Sequence, residues 1–305
     1  MTEFTLPQFA IFAQGTHAHH FLEFDLKPGV ASAEAVASFR RLRAPEVAAG
    51  GINLVVAFGA RLWTSVAPAW AGGVADFREV LGAGGHTAPA TQHDAWIWIS
   101  ASEADVAWDH ARAAVAAVAD VTVLAAEQPA FTYRDGRDMT GFVDGSANPP
   151  VRRAAEVALV PPGKPGAGGS HVLAMRWVHD LDAFGALSVP EQERVIGRTK
   201  PDSIELSDAD KPATAHIALA ETTIDGEEQQ LFRRSVPYGS ASEYGLCFVA
   251  FSADRKRFDR ILARMFDTAG SGVRDRLLDY SRPVSGACYF APSLNALNEL
   301  GGPED

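Results

Sequence analysis

The segment from Gly141 to Pro150, with the sequence GFVDGSANPP, is the most unusual local feature of this chain. An Asp between two glycines, followed by Asn-Pro-Pro, first of all predicts a turn, because Gly and Asn-Pro interrupt regular structure and Asp bonds its own backbone there. The functional alternative is that the glycines let the backbone approach a flat ligand while the Asp144 carboxylate points over it. Spacing alone favours the turn.

Two further groups follow this segment in the sequence. His216 stands in the apolar stretch Ala215–Leu219. A lone histidine of this kind is more often half-buried and hydrogen-bonded than a ligand of a metal or of haem. Arg233 and Arg234 then precede Ser-Val-Pro-Tyr-Gly. This arginine pair is explained simply as a salt-bridged strand end.

The remaining chemical groups have plainer explanations. His17, His19 and His20 suggest metal binding, but no carboxylate or Cys completes a ligand set, so a solvated strand edge is favoured. The glycine-rich residues 163–169 match neither a P-loop nor the dinucleotide fingerprint. Cys247 and Cys288 lie in apolar runs and are predicted to be buried core thiols rather than a redox pair.

Strand-like runs and amphipathic helices alternate along the chain and must position these groups. Strands are predicted at 9–12, 21–26, 52–58, 96–99, 121–124, 171–178, 246–251 and 283–290, and helices at 32–43, from 102, from 188 and at 254–266. The first half has the β-α-β-β-α-β order of a ferredoxin-like, split βαβ fold. The second half repeats it after a Gly/Pro-rich stretch, Pro149–Ser170, that predicts a linker.

The fold class predicted is therefore α+β, with two ferredoxin-like halves whose antiparallel sheets pack together. The predicted divisions are an N-terminal half at 1–140, the loop and linker at 141–170, and a C-terminal half at 171–305. The site is expected between the halves or in the second half.

Composition narrows the function classes. The chain has 305 residues and a formal net charge of −11, which disfavours binding to a phosphate backbone. No apolar run approaches the roughly 20 residues of a membrane helix. The N-terminal residues show no basic or long apolar segment of a signal peptide, so a cytoplasmic protein is expected.

Taken in order, three elements resemble the dye-decolourising peroxidases, haem enzymes of bacteria and fungi: the GFVDG loop, His216, and Arg-x-Ser-x-Pro-Tyr-Gly. The resemblance runs over most of the chain and is tightest over 141–149 and 215–293, including Arg282–Gly286 and Tyr289–Ser293. The compact build is similar to the bacterial B-type members.

The resemblance implies a role for each site residue. His216 corresponds to the proximal ligand of the haem iron, Asp144 to the distal carboxylate, and Arg233 to the distal arginine. Ser235 is expected to support the distal hydrogen bonds. The residues expected against the cofactor are His216, Asp144, Gly145, Ser146, Arg233 and Ser235. A later Asp is expected to orient the imidazole, with Asp275 preferred and Asp279 as the alternative.

The implied cofactor is one haem b per chain, because no CxxCH is present for covalent attachment. The resemblance implies that the haem is held mainly in the C-terminal half. The implied reaction reduces hydrogen peroxide through an oxoferryl intermediate and oxidises small aromatic donors, phenolic or dye-like, by one-electron steps. Asp144 would act as the base, and Arg233 would stabilise the developing negative charge. Arg233 is also expected to lower the pKa of Asp144.

The resemblance bears on partners too. A homo-oligomer is expected, with no nucleic acid or membrane partner. Ala147 stands where some relatives carry a Glu implicated in manganese binding, which argues against manganese oxidation. The C-terminal residues Leu300–Asp305 lack the apolar tail that docks certain relatives into encapsulin shells.

Two other function classes stay open. One is a haem-binding or haem-trafficking protein that uses His216 with little turnover. The other is a non-haem, ferredoxin-like ligand-binding protein in which GFVDG is only a turn.

Overall fold

The computed structural model describes residues 5–42, 51–224 and 226–300. Its helices are Ser32–Arg40 (α1), Ala60–Val66 (α2), Ala104–Val118 (α3), Val151–Ala158 (α4), Leu181–Gly185 (α5), Val189–Ile196 (α6), His216–Ala220 (α7), Lys256–Met265 (α8) and Leu294–Glu299 (α9). Its strands are Ala18–Leu26 (β1), Asn53–Phe58 (β2), Val80–Leu81 (β3), Thr87–Ala88 (β4), Ala95–Ala101 (β5), Thr122–Phe131 (β6), Ser170–His179 (β7), Thr223–Ile224 (β8), Glu227–Glu228 (β9), Phe232–Arg233 (β10), Val236–Gly239 (β11), Tyr244–Ser252 (β12), Ser281–Pro283 (β13) and Ala287–Ala291 (β14).

The main sheet consists of two antiparallel halves with the same internal order. The N-terminal half runs β2-β5-β1-β6, and the C-terminal half runs β10-β12-β7-β14 with β11 also on β12. If the strands of each half are numbered one to four along the chain, both halves have the spatial order two, three, one, four. Helices α3 and α8 each lead from a third strand toward a fourth strand. This confirms the α+β prediction of two ferredoxin-like halves.

The two halves join at the pair Phe58–Phe290 and face each other across an aromatic core. Trp96 packs against Tyr289, and Trp98 against Phe251, with ring centroids 6.1 Å apart in each pair. Alternate residues of β5, including Ile97, point to the other face and pack under α1 and α3. The prediction that residues 96–99 form a strand is therefore confirmed, and both faces of this strand are covered.

Two strand predictions are wrong. Phe9–Phe12 forms a 3₁₀ turn, because the side chain of Gln8 takes the place of a strand beside β2. The Gln8 amide donates to the carbonyl of Val56 (2.8 Å) and accepts from its N–H (2.9 Å). The predicted strand 283–290 is divided into β13 and β14, since Ser285 turns aside to accept the N–H of Arg176 at 2.9 Å.

The stretch Pro149–Ser170, predicted as a linker, includes a helix and packed residues. It contains α4, whose residues Val157 and Ala158 are buried in the core between the sheets. Gly169 is packed tightly as well, since a Cβ there would lie 2.5 Å from Cζ of Phe290. The absence of a side chain therefore lets this backbone cross directly over the ring.

The prediction of a solvated strand edge is wrong for the two histidines that lie in β1. His19 and His20 are buried, because β1 lies between β5 and β6 rather than at the margin of the sheet. His19 stacks on Trp98 with ring centroids 6.0 Å apart. Cys247 and Cys288 are buried and unpaired, as predicted.

The helices of the second half behave as their sequences predict. The amphipathic α8 buries Phe258 and Ile261, and α6, the helix predicted from residue 188, begins with a Ser188–Glu191 capping box. Helix α6 ends at Gly197 with φ 98°, where a Cβ would lie 2.5 Å from Cγ1 of Ile217 in α7. Gly197 thus allows α7 to lie close against α6. Among the described residues, no helix is long and apolar enough to cross a membrane.

Candidate active site

His216 is the first residue of α7 and is held from behind by Asp275. Its Nδ1 lies 2.7 Å from Oδ2 of Asp275, a carboxylate with no exposed surface. The other oxygen of Asp275 accepts the N–H of Leu277 at 2.8 Å, which fixes the carboxylate. Asp279 instead pairs with Arg274 at 2.8 Å. Of the two candidates left open by the sequence, the structure thus places Asp275 against the imidazole.

His216 also lines a cavity between the C-terminal sheet and α8. Its Nε2 has no hydrogen-bond partner within the described ranges, so the side chain presents one free nitrogen to this space. Most of the wall is apolar and comes from β7, β12 and α8: Leu173, Met175, Trp177, Leu246, Phe248, Phe258, Ile261, Leu262 and Met265. The cavity therefore has the properties of a site for a flat, largely apolar ligand.

Asp144 reaches the same cavity from the GFVDG loop, which forms a hairpin. Arg137 bridges to Val143 across the hairpin, and Arg137 also donates to the carbonyl of Gly141 at 2.9 Å. Gly141 and Gly145 have φ of 90° and 73°, values that favour glycine. The N–H of Gly145 donates to the Asp144 carboxylate at 2.7 Å. The segment is a turn, and this turn places a carboxylate in the cavity.

Arg233, at the end of β10, lines the cavity beside Asp144. Asn148 joins the two segments, because its side chain accepts the N–H of Arg233 (2.8 Å) and donates to the carbonyl of Arg233 (2.9 Å). The sequence interpretation gave Asn148 no role. Asn148 stands four residues after Asp144, in a turn, where an Asn is common. The local sequence could not indicate its contact with Arg233, because the two residues are 85 positions apart.

The pKa of Asp144 is raised, contrary to the expectation from its neighbour. Removal from water raises the pKa, the charge of Arg233 lowers it, and the nearby Asp138 raises it again. Desolvation is the largest of these effects and decides the sign. The expected lowering of the pKa by Arg233 is therefore outweighed.

Of the three other residues expected against the cofactor, Gly145 and Ser146 line the cavity of His216 and Ser235 does not. The hydroxyl of Ser235 accepts the N–H of Val249 at 3.3 Å. Ser235 faces a second, adjoining cavity instead. The structure therefore does not bring Ser235 into hydrogen-bond contact with Asp144 or Arg233.

Asp138 and His179 form a second polar group in the cavity wall that the sequence interpretation missed. His179 Nε2 lies 3.0 Å from Asp138, and its Nδ1 lies 2.8 Å from the Ser281 hydroxyl. Burial opposes ionisation of Asp138, but the charge and hydrogen bond of His179 and the bonds from Thr140 outweigh it, so the pKa of Asp138 is lowered. This pair ties the GFVDG loop to β7. Both ring nitrogens of His179 are engaged, so of the two histidines in this described cavity wall it is His216 that has a nitrogen without a partner.

We expect His179→Ala to lower the free energy of unfolding by about 2 kcal/mol at neutral pH, because the Asp138 carboxylate loses its partner. A lowered pKa stabilises the fold above the unfolded value of about 3.9, and this stabilisation is lost as the pH falls through the folded value. The deficit of the variant should therefore shrink in acid. Urea unfolding at several pH values measures it, with the exposed His17→Ala as control. An unchanged midpoint at neutral pH would contradict the role given to this pair.

Comparison with known proteins places these residues in context. Profiles described as "Dyp-type peroxidase, N-terminal" and "Dyp-type peroxidase, C-terminal" match residues 8–132 and 135–296. A dye-decolorizing peroxidase of Mycolicibacterium paratuberculosis is 40% identical over 218 residues, which are 70% of this chain and 62% of that enzyme. The chain thus spans less than two thirds of that relative.

Solved structures match over nearly the whole chain. A putative Dyp-type peroxidase from Shewanella oneidensis superposes with a TM-score of 0.90 at 29% identity and covers 100% of both chains. A variant of DypB from Rhodococcus jostii RHA1, solved in complex with haem, superposes with a TM-score of 0.89 at 32% identity, covering 95% of this chain and 97% of that one.

Proposed function

This chain belongs to the dye-decolourising peroxidase family, and we propose that it is a haem-dependent peroxidase that reduces hydrogen peroxide and oxidises small phenolic or dye-like donors in one-electron steps. The observation that carries the proposal is a single cavity lined by the free nitrogen of the His216–Asp275 pair, by Asp144 and by Arg233. Neutral imidazole is a haem ligand, and a carboxylate on its other nitrogen increases its basicity.

The residues of the cavity fit a haem. Its walls are apolar, as the faces of a porphyrin require, and His216 lines it with an Nε2 that has no hydrogen-bond partner among the described residues. Two buried polar atoms of the wall, Nε1 of Trp177 and Nε of Arg198, have no partner in the described structure. The guanidinium of Arg198 already pairs with Glu221 at 3.2 Å, and its Nε–H stays open to an oxygen of a bound propionate. We propose haem b, one per chain, since the two cysteines are not among the lining residues.

Bound haem iron would supply the centre at which the O–O bond of peroxide is cleaved and from which donors are oxidised. Asp144, when ionised, takes the proton from the incoming peroxide oxygen. The guanidinium of Arg233 would stabilise the negative charge on the departing oxygen. Gly145 and Ser146 bring the loop backbone against the ligand. The side chain of Asn148 bonds the backbone of Arg233 and so holds the GFVDG loop against β10. This contact keeps Asp144 and Arg233 in the same cavity wall.

Asp275 gives a direct test of the proximal side. We expect Asp275→Asn to slow the reaction with peroxide about 10–100-fold and to raise the reduction potential of the bound haem, because a neutral amide no longer increases the basicity of His216. Stopped-flow absorbance and a spectroelectrochemical titration measure the two effects. Asp279→Asn serves as the matched control, since Asp279 pairs with Arg274 instead. A variant with wild-type potential would show that the bond to His216 does not tune the haem.

The experiment that tests the whole proposal is an absorption spectrum of the purified protein, supplemented with haem and titrated with hydrogen peroxide. A peroxidase shows a Soret band that peroxide changes and that an aromatic donor restores over many turnovers. A Soret band with negligible turnover would favour the trafficking alternative. No Soret band after supplementation would favour the non-haem alternative. Cytoplasmic location, self-association and the division at residues 140 and 171 stay predictions.

A further inference from the structure

A second cavity of about 560 Å³ adjoins the first and shares Asp144, Gly145 and Arg233 with it. This side cavity lies between the GFVDG loop, α4 and the segment from Phe232 to Pro237. Its rim includes the exposed residues His17 and Val151. Phe12 and Phe232 form an aromatic wall with ring centroids 5.4 Å apart. The volume lies within the range of about 300–1,000 Å³ that is common for small-molecule sites.

Arg234 lines the side cavity and, within the described ranges, has neither a carboxylate nor a hydrogen-bond acceptor for its side chain. Its guanidinium lies over the ring of Trp98, 5.4 Å from the centroid. Burial lowers the pKa of Arg234 to about 10, so the group stays charged at neutral pH. A partly desolvated cation without an anion is costly, and this cost is relieved when an anion binds.

The neighbouring groups leave this charge uncompensated. Arg233 is adjacent to Asp144, and the charge of Arg137 is balanced by its ion pair with Asp135, in which Nε lies 2.9 Å from Oδ1. His19 is neutral near pH 7, because burial and Arg234 lower its pKa to about 4. Together, Arg233, Arg234 and Asp144 carry one net positive charge when Asp144 is ionised. A protein with a net charge of −11 thus presents a local site for a single negative charge.

We propose that the side cavity binds a small aromatic carboxylate, with the carboxylate on Arg234 and the ring against Phe12 and Phe232. A planar guanidinium matches a carboxylate with two parallel hydrogen bonds. The bound acid lies beside Asp144 and Arg233. If the proposed peroxidase function holds, carboxylated phenols are therefore preferred electron donors. Binding itself does not depend on turnover.

Calorimetric titration of the haem-loaded protein with 4-hydroxybenzoate, and with neutral phenol as the matched probe, tests the site. We expect Arg234→Leu to weaken binding of the acid at least tenfold, Arg234→Lys to weaken it less, and phenol to respond little to either change. Arg112→Leu is the control, because Arg112 also lies over a tryptophan, Trp108, but on the exposed face of α3. Equal binding of acid and phenol, or an unaffected Arg234→Leu variant, would overturn the proposal.

A carboxylate of the haem itself is the competing source of an anion for Arg234. The haem-free and haem-loaded proteins distinguish the two. If 4-hydroxybenzoate binds only the haem-free form, a haem propionate occupies Arg234 and the proposal fails. Comparable binding to both forms supports it.

Steady-state kinetics separates this inference from the proposed function. Arg234→Leu should raise KM for 4-hydroxybenzoate at least tenfold more than KM for phenol, with a smaller change in kcat. An equal rise in KM for both donors would contradict a carboxylate site. If the wild type binds the acid at Arg234 but turns over no donor, the peroxidase proposal fails while the binding site stands.

Discussion

His216→Ala is expected to lose most of its haem, the largest effect of any single substitution in this chain. The His216 ring is the one histidine of the described cavity wall with a nitrogen free of hydrogen bonds, and Asp275 holds that nitrogen toward the cavity. Without the His216 side chain, only apolar contacts and the Nε–H of Arg198 in the cavity wall would hold the cofactor. The haem-to-protein ratio after gel filtration, together with the Soret spectrum, measures the loss.

The matched control is His110→Ala, which removes a histidine on α3 that bonds only its own helix at Val106. This variant should keep a full complement of haem. Added imidazole offers a second check, because it can bind iron in the space left by the missing side chain. A wild-type spectrum and full occupancy in His216→Ala would show that another residue is the ligand.

Arg233→Leu is expected to slow the reaction of the haem-loaded protein with peroxide about 10²–10³-fold. Asp144→Ala is expected to slow it by a smaller factor. Generic magnitudes do not rank the two, because a general base contributes about 10²–10⁴-fold. We rank them by how easily each role is replaced, because a water chain can carry the proton that Asp144 would take. The neighbouring cation, Arg234, lines the side cavity but not the cavity of His216, and its guanidinium lies over Trp98.

The pH dependence sharpens this comparison. Asp144 must be ionised to act as a base, and its pKa is raised, mainly by burial. The rate of the wild type should therefore fall on acidification at a pH above the ordinary carboxyl value of about 3.9. Arg233→Leu removes the charge that favours ionisation, so its acid limb should move to still higher pH. In Asp144→Ala this limb should disappear.

Stopped-flow mixing with peroxide across a pH series measures these rates, with the exposed Arg152→Leu of α4 as the control for loss of an arginine. If Asp144→Ala is the slower variant at every pH, the carboxylate carries the step and the ranking is wrong. If the acid limb of Arg233→Leu coincides with that of the wild type, Asp144 is not the group that titrates.

The amphipathic patterns predicted much of the framework. The period of α8, the capping box of α6 and the doubly apolar run of β5 are local properties, and each formed as its spacing indicates. The two wrong strand predictions lie where a side chain replaced a backbone contact. Gln8 occupies the edge of β2, so Phe9–Phe12 did not become a strand.

Residue spacing alone favoured simpler roles for His216, Asp144 and Arg233. The order of their motifs along the sequence, which resembles that of the dye-decolourising peroxidases, identified them as site residues, and all three line one cavity. Only the tertiary structure decided how they are supported. The bond from His216 to Asp275 spans 59 residues, and the clamp from Asn148 to Arg233 spans 85, so no local spacing encodes either one. The direction of the Asp144 pKa shift was likewise beyond the sequence. It depends on desolvation by the whole surrounding wall, whereas the motif shows only the neighbouring charge.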